Sequence, residues 1–369
     1  MLNVTDKNYH DIVKKLISTN TKEISKGSNL QNLPSRGDGT RVRNAFKPKK
    51  GWVFGAADLS QIEPRIMGHI MFTQYGDNSL RQIFIDGKDL YTTMAMLVFG
   101  LEEKYCVDKA YDPTGRFKPR AMMKTGVLAK SYDQQMKSFA RNMGVSEEVA
   151  IMFYQKFDDA FPSFITMVRD IRDFMKKNGY VETLFGRKRR FPDYNVVAAR
   201  VKRNERRLTM LYQDRAKLNR KIAKTAKDLE DIKALNEAIE PLAEERGLVG
   251  YWERAAFNAV IQGTGADILK MNMNRLRQEC QSRGWELNAS IHDEVKASLP
   301  VKELSLEVCE LITDCMINTV ELSLPLKSDT VIETQWMSEY DPSEWDFENC
   351  RPYEFKYGEE AYWLEHIEA

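Results

Sequence analysis

The stretch over residues 52–70 constrains the fold of this 369-residue chain more than any other. Its apolar run, 52–57, predicts a buried strand that ends in the carboxylate of Asp58. A helix is expected to follow, with Ser60 and Glu63 forming a capping box at its start. Because a lone carboxylate at the end of a buried strand is costly without a counter-charge, the pattern indicates a metal ligand.

Overall charge leaves the class of partner open, because 55 Lys and Arg residues are balanced by 54 Asp and Glu. The five cysteines are widely spaced and include no Cys-x-x-Cys pair, which predicts reduced thiols and argues against a zinc site. No run approaches the roughly 18 apolar residues of a membrane span, and the first residues lack the apolar core of a signal peptide. We therefore expect a cytoplasmic protein.

A second group of candidate residues lies on a predicted helix that opens near Pro119. Arg120 and Lys124 are one turn apart and project from the same face. That face also carries Val127, Leu128 and Ser131, with Tyr132 at its edge. Two cations beside an apolar platform could bind a triphosphate. A solvated basic helix face is the commoner explanation of this pattern.

A third region, residues 286–299, alternates like two short strands around a tip formed by His292, Asp293 and Glu294. Adjacent acids in an apolar hairpin are costly without a counter-charge, which a divalent cation would supply. An exposed acidic turn explains the pattern equally well.

Two further segments could contact nucleic acid. The amides of Asn29, Gln31 and Asn32 can donate to and accept from nucleotide edges, sugars or phosphates, although a polar surface loop is the alternative. Residues 179–194 alternate like a hairpin and contain four consecutive cations, 187–190, flanked by Phe185 and Phe191. This cluster suits a phosphate backbone, and a solvated charge run is nearly as plausible.

A polar stripe follows the predicted amphipathic helix over residues 251–277, where Arg254, Asn258 and Gln262 recur every four residues. Gly263 and Gly265 are expected to interrupt this helix and to let another backbone or a nucleic-acid strand approach closely.

The segment over residues 195–247 predicts a long helix or a helical hairpin, basic in its first half and mainly acidic from Asp228 onward. If it folds back, its halves neutralise each other. If it is straight, the basic half could touch nucleic acid or a partner. The acidic, aromatic tail over residues 341–369 could pack on the body or dock a partner.

The order of these motifs resembles that of family A DNA polymerases, the DNA polymerase I type. DLSQIEPR at 58–65, the Arg-x-x-x-Lys helix that begins at 120, and IHDE at 291–294 resemble motifs A, B and C. The segments SNLQNLP, GYVETLFGRKRRFPD and AAFNAVIQGTGADILK also look like that family. The resemblance extends over residues 20–340, apart from the helical segment near 198–247.

This resemblance implies an α/β (α+β) right-hand fold, with an antiparallel-sheet palm and mostly helical fingers. The palm is expected at 1–75 and 186–340, with a helical insertion over 198–247, and the fingers at 76–185. It also implies two Mg²⁺ ions, or Mn²⁺ in their place, bound by Asp58, Asp293 and the Leu59 carbonyl. Glu294 is the expected supporting carboxylate.

The resemblance assigns nucleotide binding to seven residues: Gln61, Glu63, Tyr91, Arg120, Lys124, Leu128 and Tyr132. Arg120 and Lys124 would hold the triphosphate, with Lys124 a candidate proton donor to the leaving group. Glu63 would exclude a 2′-hydroxyl. Leu128 and Tyr91 depart from the usual aromatic residue and His, so base stacking and one triphosphate contact are expected to differ.

Primer-template DNA is the other implied partner, contacted by Asn29, Gln31, Asn32, Arg187, Arg189, Arg254, Asn258, Gln262 and His292. Because the sequence begins almost where the palm does, we expect a separate subunit, encoded by a split phage gene, to supply the thumb and a 3′-5′ exonuclease. An inactive nucleic-acid-binding subunit and an RNA-synthesising relative are the alternatives. The retained acids and cations argue against the first, and Glu63 argues against the second.

Overall fold

The computed structural model describes residues 3–4, 33, 42–108, 117–131 and 136–367. The predicted site residues Asn29, Gln31, Asn32 and Tyr132 lie outside these ranges. None of the helices in the described ranges is both long and apolar enough to cross a membrane.

Most strands lie in the first and last parts of the chain, and the helical middle is interrupted by a short hairpin over residues 180–190. The strands are β1 (Asn3–Val4), β2 (Phe46–Lys47), β3 (Trp52–Leu59), β4 (Tyr180–Glu182), β5 (Lys188–Arg190), β6 (Glu286–Ile291), β7 (Glu294–Pro300), β8 (Ser328–Glu333), β9 (Glu339–Tyr340), β10 (Trp345–Asp346) and β11 (Arg351–Pro352). The helices are α1 (Ile62–Tyr75), α2 (Ser79–Ile85), α3 (Leu90–Phe99), α4 (Pro119–Ser131), α5 (Met136–Met143), α6 (Glu147–Ala160), α7 (Ser163–Asn178), α8 (Tyr194–Asn219), α9 (Ala226–Arg283), α10 (Leu306–Ile317) and α11 (Glu360–Ile367).

The chain divides into two compact units. Unit 1 comprises Met1–Ile66 and Gly265–Ala369, and unit 2 comprises Met67–Thr264. These units are defined by compactness and do not test the predicted boundaries between palm and fingers, which stay a prediction.

Unit 1 is built on a five-stranded sheet in the order β6-β7-β3-β8-β9, in which every neighbouring pair is antiparallel. The predicted strand over 52–57 is the central strand, and it extends through Asp58 to Leu59. The predicted β6–β7 hairpin is also present. Together with the helices, this sheet confirms the predicted α/β (α+β) class.

One face of the sheet packs against α10. A Cβ atom added at Gly55 in β3 would lie 2.7 Å from Ile312 Cδ1, so the missing side chain permits this close approach. The tail packs on unit 1, where Trp345 and Trp363 are buried. His366 Nε2 lies 2.8 Å from the Trp52 carbonyl oxygen at the start of β3. Of the two roles considered for the tail, packing on the body is therefore confirmed.

Unit 2 contains a core of stacked and edge-to-face aromatic rings from α5, α6 and α7, among them Phe139, Phe153 and Phe157. Helix α4 joins this core closely. A Cβ atom at Gly126 would lie 2.9 Å from Phe153 Cζ, so glycine is needed where α4 meets α6.

The segment over residues 195–247 is a helical hairpin, made of α8 and the first part of α9. The two arms face each other through an ion pair between Arg200 and Glu245 at 2.8 Å, and Lys221 pairs with Asp228 near the bend. The predicted interruption at Gly263 and Gly265 is wrong, because α9 runs unbroken over 58 residues. Each helical glycine costs only about 1 kcal/mol, which tertiary packing of a long helix readily offsets.

Candidate active site

The acids predicted from two distant motifs meet in the unit 1 sheet, at the C-terminal end of its central strand β3. This end of the sheet is called the acidic edge below. The Leu59 amide donates to the Asp293 carbonyl oxygen at 3.2 Å, which joins the end of β3 to the β6–β7 turn. Asp58 lies opposite Glu294 of β7 and opposite Asp329 of β8. Directly opposed residues share a face of a sheet, so these three carboxylates project to one side.

These residues border an open cleft of about 590 Å³. Asp58, His292 and Asp329 are exposed there, whereas Asp293 and Glu294 are half-buried. Asp329 was missed from the sequence, because a single acid within an alternating strand gives no local signal of its cross-strand neighbour.

The turn that carries the acids is strained. Ile291 pairs with Glu294 across a two-residue loop, and His292 takes a φ of 57°. Within the described residues, positive φ at a non-glycine residue is also found at Gln61, Met337 and Cys350. Such backbone costs on the order of 1–3 kcal/mol and persists where surrounding structure enforces it, often at functional sites. Gln61 and His292 belong to the two motifs, and Met337 lines the cleft.

The entry to α1 differs from the predicted capping box. The helix begins at Ile62, and the Ser60 amide donates to the Lys327 carbonyl oxygen at 2.8 Å. Arg65 instead closes the turn, because its guanidinium donates to the carbonyl oxygens of Ser60 and Pro325. Burial lowers the pKa of Arg65 to about 10. Gln61 and Glu63 are both half-buried in this turn.

A buried ion cluster lies on the same face of the sheet as Asp58. Lys296, only 3% exposed, contacts Glu294 Oε1 and Glu333 Oε2, each at 2.5 Å. Burial raises the pKa of Glu333 above its ordinary value, and the Lys296 ammonium group opposes this rise. Burial alone would lower the pKa of Lys296, but the two carboxylates hold it above its ordinary value. The sequence reasoning missed this cluster.

Carboxylate oxygens are the ligands that Mg²⁺ prefers, so the donor chemistry of this edge fits a divalent cation. Asp58, Asp293, Glu294 and Asp329 supply only hard oxygen donors, and the strained turn holds two of them. Within the described ranges, no group of three or more His, Cys, Asp or Glu side chains is already drawn together around a single metal position.

The candidate triphosphate-binding cations lie on α4, in unit 2. The Arg120 guanidinium donates to both carboxylate oxygens of Asp89, at 3.0 and 2.8 Å, and to Asp108 at 2.6 Å. These carboxylates raise the pKa of Arg120 further. Burial opposes the ionised form of Asp89, but hydrogen bonds from Arg120 and Thr92 bring its pKa below the usual value.

The other residues of that helix differ in exposure. Lys124 is exposed and forms no ion pair with any described residue, and Leu128 is half-buried. Val127 is only 1% exposed, so it is buried rather than part of an exposed apolar platform. Tyr91 of α3 is 4% exposed, with the Arg120 guanidinium carbon 5.6 Å from its ring centre.

The predicted DNA-contacting residues of unit 2 lie on α9 and the β4–β5 hairpin. Arg254 and Gln262 are exposed and Asn258 is half-buried, as the four-residue repeat predicts. The Arg187 guanidinium donates to the Gly263 carbonyl oxygen at 2.8 Å. Arg189 is exposed on β5.

Side chains approach Gly263 closely, because an added Cβ atom would lie 2.8 Å from Thr183 Cγ2. The predicted approach of another backbone or a nucleic-acid strand stays a prediction. Unit 1 thus carries the acids together with Gln61, Glu63, Leu59 and His292. Unit 2 carries Tyr91, Arg120, Lys124, Leu128 and the cationic and amide residues of α9 and β4–β5.

Comparison with known proteins agrees with this arrangement. The family model described as DNA polymerase family A matches residues 2–338. The chain belongs to DNA polymerase family A.

Curated family A relatives include thermostable DNA polymerase I of Thermus filiformis, which is 29% identical over 314 residues, covering 85% of this chain and 30% of the relative. DNA polymerase I of Lactococcus lactis subsp. lactis is 30% identical over 312 residues, covering 84% of this chain and 29% of the relative. The chain therefore spans about 30% of the length of these relatives.

Among solved structures, the chain is similar to the POL domain of Pol1 from M. smegmatis in complex with DNA primer-template and dNTP. The TM-score is 0.60 at 25% identity, and the match covers 84% of this chain and 44% of that one. This similarity agrees with the right-hand polymerase fold that the motifs imply.

Proposed function

We propose that this chain catalyses template-directed DNA synthesis, joining a dNTP to the 3′-hydroxyl of a primer. The observation that carries the proposal is the hydrogen bond from the Leu59 amide to the Asp293 carbonyl, which joins motifs A and C. Family membership supports the same reaction. So does the M. smegmatis domain, whose bound molecules are primer-template and dNTP.

Asp58, Asp293 and the Leu59 carbonyl are the proposed ligands of two Mg²⁺ ions, with Mn²⁺ as an expected substitute. When bound, such ions make the primer hydroxyl more acidic and neutralise charge on the triphosphate. Glu294 and Asp329 add negative charge at the same edge, which favours divalent cations over monovalent ones.

The cations of α4 are proposed to bind the triphosphate. Arg120 keeps its charge, and its planar guanidinium matches phosphate as well as carboxylate. In this proposal the nucleotide replaces Asp108 or Asp89 as a partner of Arg120. Lys124 is exposed and is the proposed proton donor to the leaving pyrophosphate. Leu128 and Tyr132 are proposed to meet the base pair, and Gln61, Glu63 and Tyr91 the sugar and phosphates.

Primer-template DNA is the proposed polymeric partner. Arg254, Asn258 and Gln262 form one polar stripe on α9 that suits the minor groove and sugars. Arg187 and Arg189 of unit 2 and His292 of unit 1 are each proposed to contact the primer-template as well. The amides Asn29, Gln31 and Asn32 keep their proposed contact to the primer-template.

Primer extension with Mg²⁺ tests this function. Wild-type chain is expected to extend a primed template with dNTPs, and Asp293→Ala to abolish extension while retaining primer-template binding. Binding without extension by the wild type, with and without co-purified proteins, would favour the inactive binding subunit. Preference for rNTPs would favour an RNA-synthesising relative.

The separate thumb and exonuclease subunit, the phage origin and the cytoplasmic location stay predictions. Strong processive extension by the purified chain alone would contradict the separate subunit. The α8–α9 hairpin keeps its place as a candidate docking surface, because Lys202, Arg203, Arg206 and Arg207 are exposed on α8.

A further inference from the structure

The sheet face that carries Asp58 also contains a charged residue with almost no access to water. Lys296 lies opposite Ala56 on β3, two residues along β7 from Glu294. Because side chains alternate along a strand, Lys296, Glu294 and Asp58 share one face. Lys296 therefore lies one step further into the sheet than the carboxylates of the cleft, and it is 3% exposed.

Its ammonium group joins two carboxylates on different strands. One is Glu294, half-buried at the cleft, and the other is Glu333 of β8, which is fully buried on the far side of β3. Glu333 also accepts from the Met337 amide at 3.0 Å. The anchor of Lys296 is thus itself fixed by the backbone beside the cleft.

A buried ion pair is a poor way to stabilise a fold. Removing an ammonium and a carboxylate from water costs several kcal/mol each, and well-packed apolar side chains of similar volume often do as well or better. A buried pair does, however, fix the orientation of its side chains, because each charge must meet a specific partner. Glu333 balances the charge of Lys296, so the second contact, to Glu294, is available to orient that carboxylate.

We propose that Lys296 is a positioning residue, which holds the Glu294 carboxylate at the rim of the acidic cleft and is itself anchored by Glu333. The proposal rests on the proposed polymerase function. Five acidic residues border this cleft, and a released Glu294 would compete for the divalent cations that Asp58 and Asp293 are proposed to bind. The contact with Lys296 keeps the Glu294 carboxylate from binding these cations.

Lys296→Met tests this, because it preserves chain length and removes the charge. We expect kcat for primer extension to fall about 10-fold with less than a 2-fold change in the KM for dNTP, since the α4 cations are untouched. The Kd for Mn²⁺, measured by electron paramagnetic resonance without nucleotide or DNA, is expected to fall 3- to 10-fold. Lys302→Met, at an exposed lysine of the same unit, is the matched control and should change neither quantity.

A double substitution separates positioning from folding, because Lys296→Met alone leaves Glu333 buried without its counter-charge. Lys296→Met/Glu333→Met removes both charges and is expected to melt near the wild-type temperature while retaining the low kcat and the tighter Mn²⁺ binding. In a Glu294→Gln background, Lys296→Met should change kcat and the Mn²⁺ Kd less than 2-fold.

Two outcomes would overturn the proposal. One is a double variant that regains wild-type kcat together with its melting temperature, because Lys296 would then be merely structural. The other is an unchanged Mn²⁺ Kd in Lys296→Met. The metal measurement needs no synthesis, so it decides the positioning role even if the wild-type chain proves inactive, which would defeat the proposed function alone.

Discussion

The acids of unit 1 and the cations of unit 2 are held by different kinds of bond. Asp58 is fixed by backbone register, because β3 is hydrogen-bonded on both sides and Leu59 bonds to the Asp293 carbonyl. Arg120 is held by side chains, through ion pairs to Asp89 and Asp108. Register survives ligand binding, whereas ion pairs can be exchanged. The acidic edge is therefore preformed, whereas the proposed binding of a triphosphate by Arg120 would exchange one of these ion pairs.

The largest effect is expected at the register-held residue. Asp58→Asn should lower the single-turnover rate of primer extension by about 10³-fold or more, since electrostatic stabilisation commonly supplies several kcal/mol of catalysis. Asp329→Asn, its cross-strand neighbour, is the comparison and should cost less than about 10-fold. Equal losses in the two variants would mean that the edge acts as a diffuse charge rather than through specific ligands.

A smaller loss is expected at the exchangeable residue. Arg120→Ala should raise the KM for dNTP by about 10- to 100-fold, because a charge-assisted hydrogen bond to phosphate contributes roughly 1.5–3 kcal/mol. Steady-state extension at varied dNTP checks this. A fall in kcat at unchanged KM would mean that Arg120 acts after binding.

The exchange itself can be tested by removing a competitor of the nucleotide. Asp108→Asn should lower the KM for dNTP about 2- to 5-fold, because an exposed ion pair is worth up to about 1 kcal/mol. Asp86→Asn, at another exposed acid of unit 2, is the control and should leave KM unaltered. A raised KM in Asp108→Asn would show that Asp108 orients Arg120 for binding instead of competing.

The smallest effect is expected where the tail meets β3. Burial lowers the pKa of His366 below 6.5, and Lys47 and Lys50 add to this. The unfolded chain then binds a proton that the folded chain does not, so the free energy of unfolding should fall as pH drops below about 6.5. His366→Gln should cost about 1 kcal/mol at pH 8 and flatten the slope. Denaturant unfolding at pH 5.5 and 8 checks this.

Burial also lowers the pKa of His69, which gives a pH dependence of the same sign. Because His69 is present in both the wild type and His366→Gln, the difference between their slopes reports on His366. An equal slope in the variant would assign the pH dependence to other groups.

The sequence predicted those parts of the candidate site that depend on residues close together in the chain. An apolar run ending in Asp58, and period-two alternation around Asp293, required only strand periodicity and the resemblance of the motifs. Pro119 correctly predicted where α4 begins. The helical hairpin of residues 195–247 was one of two predicted alternatives, and only the ion pairs between its arms decided between them.

Non-local features escaped prediction. The contact between Lys296 and Glu333 depends on β3 lying between β7 and β8, and strand order is not encoded within either strand. The same holds for Arg120, whose partners come from the start of α3 and from the loop beyond it. The continuity of α9 was missed because glycine lowers helix propensity, whereas tertiary packing decided the outcome.

The two-residue turn at His292 has a consequence for how this protein can evolve. A strand that slips by one residue sends every side chain to the opposite face. If one inserted residue in this turn shifted β7 by one position, Val295 and Ala297 would face the cleft in place of Glu294 and Lys296, and carboxylate and ammonium would leave the cleft face together. We expect families of functional variants to tolerate substitutions here and to lack insertions and deletions, so that loop length, more than residue identity, is the inherited property.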